Sequence, residues 1–206
     1  MKTLILTIAV LFCITPLMTE AQTGPAEVVS AAKAGLHSFL GRIPMEGRQD
    51  YGFTKTDSLD KAYLGDPFNL NTITPDALLN HSEGVPVSSI LTVTDMWYFP
   101  VMIQKEIRCV LVVDYMDGKW QAVSLGYAEL AKSLNQVRRN WPAENGYNPV
   151  LIAVFQAKKH LVLIPEAPGG EGLSILSPAQ TGLTAEKAAN VLEGLKPTVR
   201  EAVKQR

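Results

Sequence analysis

WYFPVMIQKEIRCVLVVDYMDGKWQAVSL, residues 97–125, decides the fold. It is the densest apolar run outside the N-terminus, and it carries the clearest turn signal in the chain. Asp117-Gly118 separates two strand-like runs. An aspartate followed by glycine suits a two-residue type I′ turn, where both φ angles are positive. That turn sets Met116 opposite Lys119, Tyr115 opposite Trp120, Val113 opposite Ala122 and Leu111 opposite Ser124. One face then collects Ile107, Cys109, Leu111, Val113, Tyr115, Trp120 and Ala122, and reads as core. The other collects Val110, Val112, Val123 and Leu125. It is apolar only far from the turn, so a helix is expected to cover that end.

The next segment supplies such a helix. Over residues 127–140, Tyr127, Leu130, Ala131, Leu134 and Val137 recur at helical spacing, with Trp141 on the same face. Glu129, Lys132, Ser133, Gln136 and Arg139 fall elsewhere, and Pro142 stops the helix. Upstream, residues 24–40 read as a helix with Pro25 in its first turn and Val28, Val29, Ala32, Leu36, Phe39 and Leu40 on one face. Residues 41–57 form a polar, glycine-containing loop of a length that is often functional or disordered. Residues 63–73 look extended, with an interruption at Gly65-Asp66-Pro67. Thr74-Pro75-Asp76 opens a short helix as cap, N1 proline and first-turn acid. Residues 85–94 are β-branched and read as a strand or its approach. Pro100 predicts an edge position or a strand start. Residues 150–156 and 160–165 predict a second hairpin about Ala157-Lys158-Lys159, and residues 174–176 a short strand. Thr184 is expected to cap a final helix that Pro197 interrupts.

Together these elements predict an α+β domain with a mainly antiparallel sheet of about five or more strands and helices packed on it. There is no internal repeat.

The chain has 206 residues, of which 47% are hydrophobic and 19% charged, and a net charge of −1. That balance offers no electrostatic footprint for nucleic acid or an anionic membrane surface. A chain of this length buries roughly 70% of its unfolded surface and needs no disulfide or metal staple. Residues 1–21 read as a secretory signal peptide. Lys2 gives a positive start, residues 4–14 an apolar stretch, and Thr19-Glu20-Ala21 a small-residue cleavage site. A lipoprotein reading would acylate Cys13, but Phe12 precedes it and the cysteine lies inside the apolar stretch. Cleavage leaves residues 22–206 as a single domain outside the cytoplasm, secreted or periplasmic. It would carry one cysteine, Cys109, and no run of membrane-spanning length.

No catalytic constellation stands out. His37, His81 and His160 are far apart and lack metal-ligand spacing. Asp57, Asp60 and Asp66 do not match a calcium loop and read as a solvated acidic surface. Neither a nucleophile elbow nor a phosphate-binding glycine motif occurs. Gly169-Gly170-Glu171-Gly172 reads as a flexible loop. Asn80-His81-Ser82 has the form of a glycosylation sequon. No catalytic, cofactor or metal residue is therefore assigned, and no cofactor is expected. Cys109 sits mid-strand among aliphatics, where a thiol is poorly solvated. Alternation sets Tyr98 opposite to Trp97 and Phe99, a hint of a binding surface. Two functions follow. The first is a non-catalytic extracytoplasmic binding or regulatory module that holds a protein or peptide partner, for example at a sheet edge. The alternative is a small secreted hydrolase with a site assembled across the fold from Cys109 and His160 or from carboxylates.

The signal-peptide reading predicts Gln22 as the mature N-terminus. Intact-mass measurement on exported protein checks it, and a mass that retains residues 1–21 refutes it.

Overall fold

The computed structural model describes residues 24–168, 170–176 and 182–205; the predicted signal peptide and Cys13 lie outside them. Helix α1 is Ala26–Leu40 and α2 is Pro75–Leu79. Strands β1 (Tyr63–Leu64), β2 (Phe68–Thr72), β3 (Thr92–Ile103), β4 (Glu106–Met116) and β5 (Lys119–Gly126) precede α3, Ala128–Asn140. Then come β6 (Val150–Val154), β7 (Lys159–Ile164), β8 (Gly172–Leu176), β9 (Glu186–Lys187) and α4, Ala188–Lys204. The nine strands form one mixed sheet in the order β5-β4-β3-β2-β6-β7-β8-β9, with β1 also beside β3. β2 and β6 run parallel; the other pairs are antiparallel.

The Asp117-Gly118 turn forms as its residues dictate, with φ of 53° and 77°. The pairs Met116–Lys119, Tyr115–Trp120 and Val113–Ala122 form as expected. Beyond them the register slips. Leu111 lies opposite Leu125 and not Ser124, because the ladder shifts between Val112 and Val113. Val123 is the extra residue of this bulge and is 37% exposed. A second shift, between Val101 and Met102, leaves Arg108 extra on β4. A bulge interrupts alternation. Ile107 and Leu125 therefore exchange the faces expected of them. Cys109, Leu111, Val113 and Leu125 pack with α1, whereas Ile107, Val110 and Val112 pack under α3.

The Arg108 bulge is tied on both sides. The Asn135 side chain of α3 pairs with both backbone groups of Ile107, accepting from its N–H and donating to its carbonyl at 2.9 Å each. The Arg108 guanidinium meets the Asp57 carboxylate at 3.0 Å. Asp57 is 5% exposed, which corrects its reading as solvated surface; Asp60 and Asp66 are exposed. Burial alone would raise the Asp57 carboxyl. The Thr54 N–H at 2.6 Å and the Arg108 guanidinium outweigh that and hold it below the usual carboxylate range. This ion pair and the buried Phe53 pin the loop of residues 41–57 to the sheet. At Gly52, φ is +84° and a Cβ would lie 2.1 Å from the Arg108 carbonyl oxygen, so only glycine fits the crossing.

Pro100 lies inside β3, between β4 and the β1/β2 side, and not at an edge or a strand start. Its carbonyl accepts from the Gly65 N–H at 2.8 Å. In an antiparallel strand a residue's N–H and C=O point to the same side. The missing N–H of Pro100 therefore faces the interruption at Gly65-Asp66-Pro67 that separates β1 from β2. The proline is tolerated because its neighbour has no ladder there to lose.

Other elements differ from expectation in detail. Pro25 is the N-cap of α1, one position before the expected N1. Within residues 85–94, Val87–Ile90 forms a 3-10 turn, and β3 begins at Thr92. The turn's first N–H groups, on Val87 and Ser88, donate to the Glu171 carboxylate. Thr184 does not cap the last helix; Glu186–Lys187 pair with β8, and α4 starts at Ala188. Pro197 does not end α4, because the turn beyond it buries Val199 completely.

α3 covers one face of the sheet and rests on Leu70, Val110 and Val112 from one half and Leu151, Ala153 and Val162 from the other. α1 and α4 cover the opposite face. α1 lies over β4 and β5, and α4 over β6–β8. α1 approaches closely: a Cβ on Gly35 would lie 2.1 Å from the Ala122 Cβ. In α3, Leu134 is 1% exposed, whereas the Lys132 side chain is 66% exposed. Leu134→Ala should cost roughly 2–5 kcal/mol. Lys132→Ala should cost less than about 0.5 kcal/mol. Urea denaturation of both variants checks this, and equal effects would mean that α3 does not bury the face described.

Candidate functional site

Two concavities lie under the two ends of α3. The first is a notch in the sheet. β2 continues toward β1 across the Gly65-Asp66-Pro67 break, and its parallel neighbour β6 begins only at Val150. No strand among the described residues lies along the outer side of β1. The space of about 500 Å³ is closed on the far side by the segment from Trp141 to Pro149. Its lining is aromatic and proline-rich: Tyr63, Phe68, Trp141 and Tyr147 stand among Pro67, Pro100, Pro142 and Pro149. Tyr63 is 46% exposed, and Trp141 and Tyr147 are half-buried. A Cβ on Gly65 would lie 2.7 Å from the Met102 sulfur, which keeps β1 tight against β3.

Local sequence builds each wall. Pro142 ends α3 and turns Trp141 out of the helix. Gly146 adopts φ +85° and sends the chain back toward β6. The Arg138 guanidinium donates to the Lys105 carbonyl at 3.2 Å, which locks the α3 end to the β3–β4 turn. Asp66, Lys105 and Glu144 are exposed around the rim.

The second concavity, about 630 Å³, opens at the start of α3. Gln49, Asp50 and Gly52 supply one wall; Tyr127, Glu129, Lys132 and His160 line the rest. Tyr127 holds φ 59° and ψ 42°, a left-handed conformation that costs a non-glycine residue on the order of 1 kcal/mol. Beneath it, the rings of Tyr98, Tyr127 and His160 form a triangle with centroids 5.9, 5.9 and 6.4 Å apart. This contact orients the strained residue. Burial pulls the His160 imidazole below its ordinary value. Burial, with Tyr127 beside it, pushes the Tyr98 phenol up. Both groups are thus held neutral at neutral pH. The Glu129 carboxylate is engaged by Lys132 at 2.8 Å.

The residues weighed from sequence fall apart in space. Cys109 is fully buried on the α1 face of β4. His160 stands on the α3 face of β7, opposite Ala153 and Leu176. The sheet lies between them, so the fold does not bring this thiol and imidazole together. His37 is exposed on α1; His81 is buried, with Nε2 2.9 Å from the Val85 carbonyl. Among the described residues no group of three or more His, Cys, Asp or Glu side chains converges to hold a metal ion. Tyr98 does face away from Trp97 and Phe99, as alternation requires, but only 4% of it is exposed. Reading the sequence missed Tyr63, Trp141 and Tyr147 as one surface. The available signal was the density of proline and aromatics in WPAENGYNP, residues 141–149.

Burial pushes the Cys109 thiol up to about 12, far from a reactive thiolate. Folded protein at neutral pH should therefore react slowly with a thiol reagent, and denaturant should accelerate the reaction. Rapid stoichiometric labelling of native protein would overturn the structural role. Comparison of the chain with protein-family models, with curated proteins and with solved structures finds no match.

Proposed function

We propose that the mature chain is a non-catalytic extracytoplasmic binding or regulatory module, and that it takes an extended segment of a protein or peptide partner in the notch beside β1. The observation that carries this reading is an aromatic-lined groove at a place where the sheet lacks a strand. Its volume falls in the range of ligand sites, roughly 300–1,000 Å³. Aromatic side chains contribute large contact area at low entropy cost, and an unpaired strand invites extended chain. The extracytoplasmic setting rests on the apolar N-terminal stretch read as a signal peptide.

One observation favours the hydrolase alternative. His160 shares the second concavity with two carboxylates, Asp50 and Glu129. That alternative would use carboxylates and His160 without Cys109.

Selection of a random displayed peptide library on the mature protein tests the first reading. Enriched peptides should bind the parent protein and lose at least about tenfold in affinity on Tyr63→Ala, which removes an exposed ring and leaves the core intact. Binders indifferent to Tyr63 would place the site elsewhere. Turnover of an ester, peptide or glycoside panel that disappears in His160→Ala would replace the binding reading with the hydrolase.

A further inference from the structure

Resting on the notch as a peptide site, we infer that its occupant is a proline-rich segment in the polyproline II conformation, acidic at one end and basic at the other. Backbone supply is the first constraint on the occupant. Strand addition draws its affinity from main-chain hydrogen bonds. β1 has two residues, Tyr63 and Leu64, and on either side of Leu64 the chain turns toward β3: Tyr63 pairs with Met102, and the Gly65 N–H bonds the Pro100 carbonyl. By alternation Leu64 is the one residue of 63–65 that turns its N–H and C=O into the notch, and Pro67 in the break has no N–H to offer. One residue does not make a ladder. A polyproline II segment asks for none, since it has no internal hydrogen bonds and its φ is fixed in advance.

The lining is the second constraint. Tyr63, Trp141 and Tyr147 stand among prolines, and aromatic ridges of this kind accept pyrrolidine rings in their grooves.

The third is charge order. The notch follows β3 from Tyr98, opposite Phe68, to Met102, opposite Tyr63. Asp66 falls in the break near the Phe68 end. Lys105 lies in the turn just past the other end, with Arg138 bound to its carbonyl. Glu144 adds a carboxylate on the far wall. Neither Asp66 nor Lys105 has an ionic partner within 4.0 Å among the described residues. At about 3.4 Å per strand residue the two backbone positions are roughly 15 Å apart. That is about five residues of polyproline II. The complementary occupant places an acidic side chain at Lys105 and Arg138 and a basic one, about five residues away, at Asp66.

Isothermal titration of the mature protein with synthetic peptides tests this. The set is a polyproline decamer with Asp and Arg five residues apart, its end-reversed form, di-Asp and di-Arg versions, and a Thr/Val-rich strand former. The better mixed-charge peptide should bind about five- to tenfold tighter than either like-charge version, because two exposed ion pairs are at stake. Asp66→Lys should move the preference to the di-Asp peptide. Equal affinity of all charge patterns overturns the charge order, and tighter binding of the Thr/Val peptide overturns the polyproline assignment. If none of these peptides binds while Tyr63-dependent binders emerge from the random library, the occupant's chemistry is refuted and the peptide site stands. If the library gives no Tyr63-dependent binder either, the peptide site itself fails.

Discussion

The bulge at Arg108 is the constraint that joins the parts of this molecule. One extra residue in β4 reverses the faces on either side of it, so that Ile107 lies under α3 and Cys109 under α1. The same residue sends its guanidinium to Asp57 and its carbonyl against Gly52, which holds the loop of residues 41–57 in place. Asn135 occupies the backbone of Ile107 from the other side and fixes where α3 lies along the sheet. Both concavities inherit their shape from this junction. The loop walls one of them, and α3 roofs both. The ion pair is partly buried, and loss of one partner strands a charge rather than merely removing an attraction. Because the folded-state value of Asp57 is depressed, its contribution is present above the ordinary aspartate range and is lost as pH falls through the lowered folded value.

The elements that were legible in the sequence are those whose physics is local. Asp117-Gly118 requires positive φ and obtains it. Leu130, Leu134 and Val137 recur at helical spacing and are buried. Thr74 and Pro75 start α2, with the Ala77 N–H donating to the Thr74 hydroxyl. The bulges were not legible. Residues 109–113 are all apolar, so a shift of register changes which face a residue takes without changing the pattern. Pro100 and Pro197 misled because their cost is set by tertiary packing that the local pattern does not show. A break between β1 and β2 excuses the first, and the burial of Val199 carries the helix past the second.

The notch was hidden for a related reason. Its aromatics come from β1, the start of β2 and the segment after α3, and of these only Trp141 carries a local pattern, that of the α3 face. Only the termination of β1 after two residues, beside a β6 that starts late, turns them toward a common space. The place of Cys109 was legible because it needed one strand's alternation and nothing else.

The seam between β2 and β6 has a kinetic consequence. Thr72 and Ala153, joined there by a hydrogen bond, are 81 residues apart in the chain. The β3–β4–β5 meander and the β6–β7–β8 meander each close over short loops, at little entropic cost. The parallel seam closes over the whole of the first meander and α3, a larger entropic cost unless they form before it. α3 touches both halves, and its arrival is what makes the docked arrangement stable. The topology predicts that the two hairpin units zip first and that the sheet is sealed last at its centre, beside the notch.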